Sequence, residues 1–325
     1  MDGATYMITV ARWSASGWHM GPQSVKSEIL RGRCVNVDFQ ITFLGTGGGR
    51  HTTIYQTRST GGLLVRHDGR YIHMDPGPGA LNAMHLIHHD PGITDSVVIS
   101  HCHPDHYSDA PSVIEGMTHG GWKRRGHIYG SRSVIEGLGK LGPALSPYHL
   151  GLTDGVKAFE PGDVIDMDGL MVDITRAVHN DPTNVGFIMH TDHGTVSYLS
   201  DTEYHEDVGE QYKGTRVLIL PVTTPLGNII KGHMSTDGAI EICKQVKPEL
   251  CIFIHLGIVM LQNDPDGQAA LCERESGVRT VIGQDLMTLD VGEELVLGTA
   301  KTYPPEEFWV PDWCPSKDFV DRHPK

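Results

Sequence analysis

The stretch SHCHPDHYSD, residues 100–109, places three histidines and two aspartates within ten positions. It directly follows the apolar run SVVIS (96–100), which is typical of a buried strand. Functional groups of α/β folds lie beyond the carboxyl ends of strands. On extended backbone His101 and His103 project to the same side, because side chains repeat every second residue. Imidazoles and carboxylates suit zinc, and also iron or manganese, so this stretch is either half of a metal site or a polar loop, and partner ligands further along the chain decide between the two.

The rest of the chain alternates strand and helix patterns in two runs that are separated by a β-meander. Strands are predicted at 35–45, 96–100, 126–130, 215–222, 250–255 and 286–297, and hairpins at 63–75, 164–179 and 185–201. Helices are predicted at 79–89, 110–120, 131–140, 235–246 and 266–277, with Ser108 or Asp109 capping the second of them. This order predicts an α/β fold in which two mixed β-sheets lie between helices.

The domain organisation predicted from these patterns is a single domain with appended ends. Residues 1–34 show little periodicity and are typical of an N-terminal appendage with partial disorder. The domain itself is predicted to span residues 35–302, and residues 303–325, rich in Pro and Trp, to form a tail packed on it.

The motif His101-x-His103-x-Asp105-His106 resembles the signature of the metallo-β-lactamase superfamily of hydrolases. That resemblance implies an αββα four-layer sandwich with two metal ions between the sheets. The family pattern then requires a third His, a bridging Asp and a last His, each ending a strand. The chain supplies them in this order, as His179 in TRAVHND, Asp201 in SYLSDTE and His255 in CIFIHLG. The resemblance covers about residues 38–297.

Carried over residue by residue, the resemblance implies a complete dinuclear site. The first ion is expected on His101, His103 and His179, the second on Asp105, His106 and His255, with Asp201 bridging both. Two divalent ions, zinc first and manganese or iron as alternatives, would activate a water or hydroxide between them as the nucleophile, beside Asp105 as a catalytic residue. Asp75, in HMDPGPG, is expected to orient a ligand His, although capping a turn before Pro76 also explains it.

Two further segments resemble the ribonuclease Z and phosphodiesterase branch of the superfamily. ITFLGTGGGR (41–50) makes Gly47 and Gly48 candidates for phosphate binding, although it matches no P-loop and a glycine turn explains it equally well. In GHMSTDGAIEI (232–242), His233 is expected to be catalytic, either as a proton donor to the leaving oxygen or as a group that stabilises the developing charge. Only 21 residues separate His179 from Asp201, which leaves no room for the long tRNA-binding arm of ribonuclease Z.

Composition narrows the function further. The net charge of −14 disfavours nucleic acid as a partner, because phosphate neutralisation supplies most of the affinity for it. No apolar stretch approaches the ~18 residues of a membrane span, and no C-x-x-C pair is present, which favours a cytoplasmic protein with reduced thiols.

The sequence therefore predicts a dinuclear metal-dependent phosphodiesterase acting on a small or cyclic phosphodiester. The alternatives are an ester, lactone or thioester hydrolase of the same fold and a ribonuclease Z-like RNA endonuclease. An iron-binding redox protein or a non-catalytic metal-binding protein ranks below them. The resemblance also suggests a homodimer.

Overall fold

The computed structural model describes residues 38–305, 307, 309–311 and 313. Its strands are β1 (Phe39–Phe43), β2 (Leu63–His67), β3 (Arg70–Met74), β4 (Ser96–Ile99), β5 (His127–Ser131), β6 (Gly155–Phe159), β7 (Val164–Met167), β8 (Leu170–Arg176), β9 (Val185–Thr191), β10 (Gly194–Tyr198), β11 (Val217–Thr224), β12 (Met234–Ser235), β13 (Leu250–Ile254), β14 (Thr280–Ile282), β15 (Met287–Val291) and β16 (Leu295–Thr299).

Ten helices and one 3₁₀ turn, Pro91–Ile93, connect these strands in the described part of the chain. The helices are α1 (Arg50–Tyr55), α2 (Ala80–Leu86), α3 (Pro104–Tyr107), α4 (Ala110–Met117), α5 (Arg132–Ile135), α6 (Pro147–Gly151), α7 (Val208–Gln211), α8 (Thr236–Val246), α9 (Ile258–Leu261) and α10 (Pro265–Ser276).

Two mixed sheets form the centre of the fold. The first has the strand order β16-β15-β1-β2-β3-β4-β5-β6, and the second β14-β13-β11-β10-β9-β8-β7, with β12 paired to β11. Apolar side chains of both sheets, among them Ile41, Val65, Phe187 and Ile219, form one buried cluster between them. Helices α8 and α10 cover the outer face of the second sheet, and α4 that of the first. The predicted αββα sandwich is confirmed.

The strand directions bring the predicted site to one edge of the sandwich. In the first sheet β3 and β4 run parallel, so that Asp75 and the histidine motif emerge side by side. In the second sheet β10, β11 and β13 run parallel, and β8 shares their direction because both β8 and β10 are antiparallel to β9. The carboxyl ends of these strands therefore meet at the same edge.

Several local predictions differ from the structure. The helix predicted at 131–140 ends at Ile135, because Gly137 and Gly139 adopt positive φ angles. The strand predicted at 286–297 is a hairpin of β15 and β16, and α1 and α3 had no clear signal. Asp109 precedes α4 as predicted, but its carboxylate accepts hydrogen bonds from the amides of Gly79 and Leu81 at the start of α2. A tertiary contact takes the place of the local cap.

Most residues of the two predicted ends lie outside the described residues. The predicted appendage, residues 1–34, lies outside the described residues, and the predicted domain limits stay predictions. In the described part of the tail, the Trp313 indole donates to Asp90 and the Tyr303 ring stacks on His88. None of the described helices combines the length and apolar character that crossing a membrane requires.

Candidate metal centre

All seven predicted ligand residues come together at the edge where the strands of both sheets end. Their donor atoms form overlapping groups in which every atom lies within 4.8 Å of the others. These groups are His101, His103 and His179; His101, His106 and Asp201; Asp105, His106 and His255; and His179, Asp201 and His233. The first and third groups correspond to the two ion sites that the resemblance implies, and Asp201 belongs to the second and fourth groups.

The first group is a triangle of imidazole nitrogens. Nδ1 of His103 lies 3.0 Å from Nε2 of His101 and 3.0 Å from Nε2 of His179. Nδ1 of His179 contacts the Gly232 carbonyl at 2.6 Å, and since a carbonyl only accepts, this nitrogen carries the proton. Nε2 of His179 is therefore the nitrogen that is available to present a lone pair to the triangle, as a metal ligand must.

The second group combines a carboxylate with two imidazoles. Oδ2 of Asp105 lies 3.3 Å from Nε2 of His255 and 3.9 Å from Nε2 of His106. The helix α3 carries Asp105 and His106, and Pro104 at its first position stiffens the turn between the two groups. Burial raises the pKa of Asp105, but His106 and His255 outweigh it and hold that pKa well below its usual range.

Asp201 lies at the centre of both groups and is 2% exposed. Its Oδ2 is 3.6 Å from Nε2 of His179, 3.7 Å from Nε2 of His106 and 4.0 Å from Nε2 of His101. Its Oδ1 lies 3.1 Å from Nε2 of His255. One carboxylate that faces imidazoles of both groups has the geometry of a bridging ligand.

The residues fit two divalent cations, as two observations on the buried atoms indicate. Nε2 of His106, Nε2 of His255 and Oδ1 of Asp201 are buried in the cluster, and although Oδ1 of Asp201 lies 3.1 Å from Nε2 of His255, none of the three atoms makes a hydrogen bond of good geometry. Such orphaned polar atoms are costly unless an ion or a water satisfies them. Burial lowers the pKa of His106, but Asp201, Asp105 and Asp75 outweigh it and raise that pKa well above its usual value. The cluster therefore attracts positive charge.

Asp75 is hydrogen-bonded to His106 of the second group within a buried network of polar side chains. Its Oδ2 accepts hydrogen bonds from Nδ1 of His106 at 3.0 Å and from the Tyr198 hydroxyl at 2.8 Å. The Ser100 amide and hydroxyl both donate to Asp75 at 2.7 Å, which leaves the Ser100 oxygen to accept from Nδ1 of His101. Asp75 thus fixes which nitrogen of His106 faces the cluster.

We expect Asp75→Asn to lower the affinity for the ion at Asp105, His106 and His255 by about 10- to 100-fold, because an outer carboxylate sets ligand orientation and basicity. A chelator-competition titration measures the two affinities separately. Asp154→Asn, at an exposed turn position, is the matched control and should change neither. Equal weakening of both ions, together with a large drop in melting temperature, would point to a general structural defect instead.

His233 stands at the mouth of the cluster. Its ring centroid lies 4.9 Å from that of His179 and 5.8 Å from that of His255, and its Nδ1 is 3.6 Å from Oδ2 of Asp201. Its side chain is 18% exposed, against 5% or less for His179 and His255. Burial lowers the pKa of His233 to about 4. The structure places His233 beside the cluster, and its role in catalysis stays a proposal.

The glycine loop has contacts that the phosphate-binding prediction did not include. The amides of Gly47 and Gly48 donate to the carbonyls of Ser59 and Leu256, and the Gly49 amide donates to Oδ2 of Asp105 at 2.8 Å. These three donors are therefore already used within the protein. A phosphate-binding role of Gly47 and Gly48 stays a prediction, while the visible contacts position Asp105 and pack the loop on the centre.

Three positioning residues were missed or set aside at the level of the sequence. Ser100, at the end of the predicted strand 96–100, links Asp75 to His101. Asp181, fully buried, accepts from the Cys102 amide between the two motif histidines and from the Thr183 amide. The Asp-Pro-Thr turn after His179 was the available signal. The Thr223 hydroxyl contacts Nδ1 of His255 at 3.0 Å.

Two further side chains that could take part in chemistry, His73 and Cys102, do not belong to the cluster. Burial lowers the pKa of His73 to about 4, and its Nε2 bonds the Gly61 carbonyl at 2.8 Å, so it packs rather than reaching the cleft. Cys102 is buried between the motif histidines, and burial raises its pKa to about 11, as expected for an inert thiol. It is one of four free, buried cysteines in the described part of the chain.

Comparisons with known proteins match this description. A sequence model of the beta-lactamase superfamily domain matches residues 70–256. The uncharacterized protein MJ1374 of Methanocaldococcus jannaschii is 36% identical over 244 residues, 74% of this chain and 91% of that protein. A ribonuclease Z of Methanosarcina acetivorans is 29% identical over 144 residues, 44% of this chain and 46% of that protein.

A solved structure agrees at the level of the fold. The metallo-beta-lactamase fold protein YhfI from Bacillus subtilis superposes with a TM-score of 0.66 at 20% identity, covering 77% of this chain and 98% of its own. The superfamily match covers more than half of the 325 residues. The chain therefore belongs to the metallo-β-lactamase superfamily of metal-dependent hydrolases and is related to ribonuclease Z.

Proposed function

We propose that this protein is a dinuclear metal-dependent phosphodiesterase. The observation that carries the proposal is the position of His233, a partly exposed imidazole at the mouth of the cluster with Nδ1 3.6 Å from Asp201. Phosphodiester hydrolysis needs a donor at the leaving oxygen beside the attacked phosphorus, and this position suits it. The local similarity to a ribonuclease Z, whose name denotes cleavage of RNA, supports phosphodiester chemistry.

The seven ligand residues take complementary parts in this proposal. His101, His103 and His179 would hold one divalent ion, Asp105, His106 and His255 the other, and Asp201 would bridge them. The bound ions would lower the pKa of a water and neutralise charge on the phosphate. Because burial lowers the pKa of His233 to about 4, its imidazole is neutral, and its ring N–H would donate to the leaving oxygen, as a proton or as a hydrogen bond that stabilises the developing charge. Zinc suits this set of nitrogen and oxygen ligands best, with manganese and iron as alternatives.

A small substrate is favoured over transfer RNA. The segment between His179 and Asp201 is filled by the hairpin β9–β10, which turns at Asp192 and His193. No arm extends from this described segment, and the chain carries a net charge of −14. Both features argue against a long nucleic-acid contact.

The experiment is a comparison of substrates with protein loaded with Zn²⁺ or Mn²⁺. We expect hydrolysis of bis(p-nitrophenyl) phosphate, loss of activity with a chelator and recovery when the metal is returned. His233→Ala should lower kcat by about 10²- to 10⁴-fold with unchanged metal content, the usual contribution of a general acid. His190→Ala is the matched control, since His190 is an exposed histidine paired with Asp173.

Three outcomes would contradict the proposal. Turnover of p-nitrophenyl acetate or a lactone far above that of the phosphodiester would assign the chain to ester hydrolysis. Efficient cleavage of a tRNA precursor would favour the RNA endonuclease. Two bound irons with a visible absorption band, and no hydrolysis, would favour the redox protein.

A further inference from the structure

Two exposed segments flank the candidate metal centre, and we call them together the rim. One is helix α1, which begins directly after Gly49, the residue whose amide donates to Asp105. The other is the loop 225–232 between β11 and β12, in which the Gly232 carbonyl accepts from His179. The two start close together, since a side-chain atom of Thr223, just before the loop, approaches Gly49.

The rim exposes large apolar side chains. Ile229 is 80% exposed and Tyr55 71%, and three further members share this character: Ile54, Leu226 and Ile230. Scattered single apolar residues on a surface need no explanation, but Ile229 and Ile230 are adjacent in the loop that leads to His233, and adjacent exposed apolar side chains there indicate a binding surface. Because the His233 amide donates to the Ile230 carbonyl at 3.0 Å, this surface reaches the residue at the mouth of the centre.

The loop is held in place by polar contacts at its base. The Gly227 amide donates to Asp237 at 2.7 Å, and the Leu226 amide donates to the Gln268 side chain at 2.8 Å. The Gly232 amide donates to Glu203 at 2.7 Å. The backbone is therefore tied to helices α8 and α10 while its isoleucines face outward, which makes a preformed apolar surface rather than a collapsed one.

The same segments each carry one unpaired cation. Arg50 is the first residue of α1 and Lys231 directly precedes Gly232, and both are exposed. No ion pair is recorded for either in the described structure, whereas Arg70, Lys213 and Lys244 each pair with a carboxylate. In a chain of net charge −14, two free cations beside the centre favour an anionic ligand there.

We propose that the rim selects a phosphodiester whose non-leaving group is apolar and larger than a methyl group, such as an aryl group. The inference rests on the proposed phosphodiesterase activity. Arg50 and Lys231 attract the anionic phosphate, and Ile229 and Ile230 contact the apolar group. Water adds to phosphorus, the P–O bond to the leaving group breaks, and that group departs with the proton, so the product is a monoester that keeps the apolar group.

The test compares two substrates in which the same P–O bond to p-nitrophenyl is broken and the same coloured product, p-nitrophenol, is released. Bis(p-nitrophenyl) phosphate has an aryl non-leaving group, and methyl p-nitrophenyl phosphate has a methyl group in its place. We expect the wild type to prefer the aryl diester by its kcat/KM. The double variant Ile229→Ser/Ile230→Ser should lower the aryl-to-methyl ratio of kcat/KM about tenfold, the loss expected when an aryl group no longer buries apolar surface.

The contribution of the two cations is measured separately, through KM and its dependence on salt. Lys231→Gln and Arg50→Gln should each raise KM several-fold for both diesters alike, with an effect that shrinks as salt is added, because exposed charges are screened. Val164→Ser, an exposed apolar position on β7, and Lys157→Gln, an exposed cation on β6, are matched controls.

The outcomes separate the two proposals. If neither diester is hydrolysed by the metal-loaded wild type, the proposed function and the inference fail together. If both are hydrolysed but the isoleucine variant, or Ile229→Ser alone, leaves the aryl-to-methyl ratio unchanged, only the inference fails. An unchanged KM for both diesters in the Lys231 and Arg50 variants would remove the cations from the inference.

Discussion

Asp201→Asn is expected to abolish dinuclear metal binding and nearly all hydrolytic activity. The Asp201 carboxylate is the one acidic side chain that faces imidazoles of both ligand groups among the described residues. Asparagine keeps its size but removes the negative charge that holds two cations close together. We expect metal content to fall from two ions per chain to one or fewer. The loss of several kcal/mol of transition-state stabilisation corresponds to about a thousandfold or more in kcat/KM.

Metal analysis after gel filtration, followed by the phosphodiester assay, measures both effects. Asp173→Asn is the matched control, because Asp173 is an exposed carboxylate that pairs with His190 at 2.9 Å, and it should leave both quantities unchanged. Near-normal activity of Asp201→Asn with two bound ions would show that another group bridges the metals. A variant that fails to fold would be recognised by its circular dichroism, and Asp201→Glu then separates misplaced charge from lost charge.

The positions of the seven ligand residues were predicted by the resemblance to the superfamily, and local signals agree with that prediction. His101, His179 and His255 each follow an apolar run, and such runs become strands that end at a common edge in a parallel arrangement. The structure brings these residues together, while their role as ligands awaits metal analysis. The helical motif segment α3 was not predicted, since four residues carry too little periodicity.

The supporting network could not be read from the sequence, because its contacts join distant parts of the chain. The Ser200 hydroxyl donates to Ser100 across 100 residues, and Tyr198 donates to Asp75 across 123. Serine and tyrosine carry no signal that distinguishes a surface position from a contact between sheets. Asp109 gives a second example. Its local pattern predicted a cap for α4, but its carboxylate bonds to the start of α2, which is distant in the sequence.

The second large effect on metal content and activity is expected for Gly48→Ala, a substitution in the glycine loop. A Cβ atom at Gly48 would lie 2.1 Å from the His255 ring, so that the imidazole would have to move. Displacing His255 removes a donor from the group with Asp105 and His106. We expect the second ion to be lost at limiting zinc and kcat/KM to fall by about a hundredfold or more, while the His101, His103 and His179 group keeps its ion.

This experiment also decides between the two explanations of the loop. If Gly48 served only to let a phosphate approach the backbone, alanine would raise KM and leave two bound ions per chain. If it serves to let the loop pack on His255, metal content falls before any substrate is added. Gly151→Ala is the matched control, since a Cβ atom there meets no atom within 4 Å. Because the amides of Gly47 and Gly48 already donate to Ser59 and Leu256, we expect the packing result.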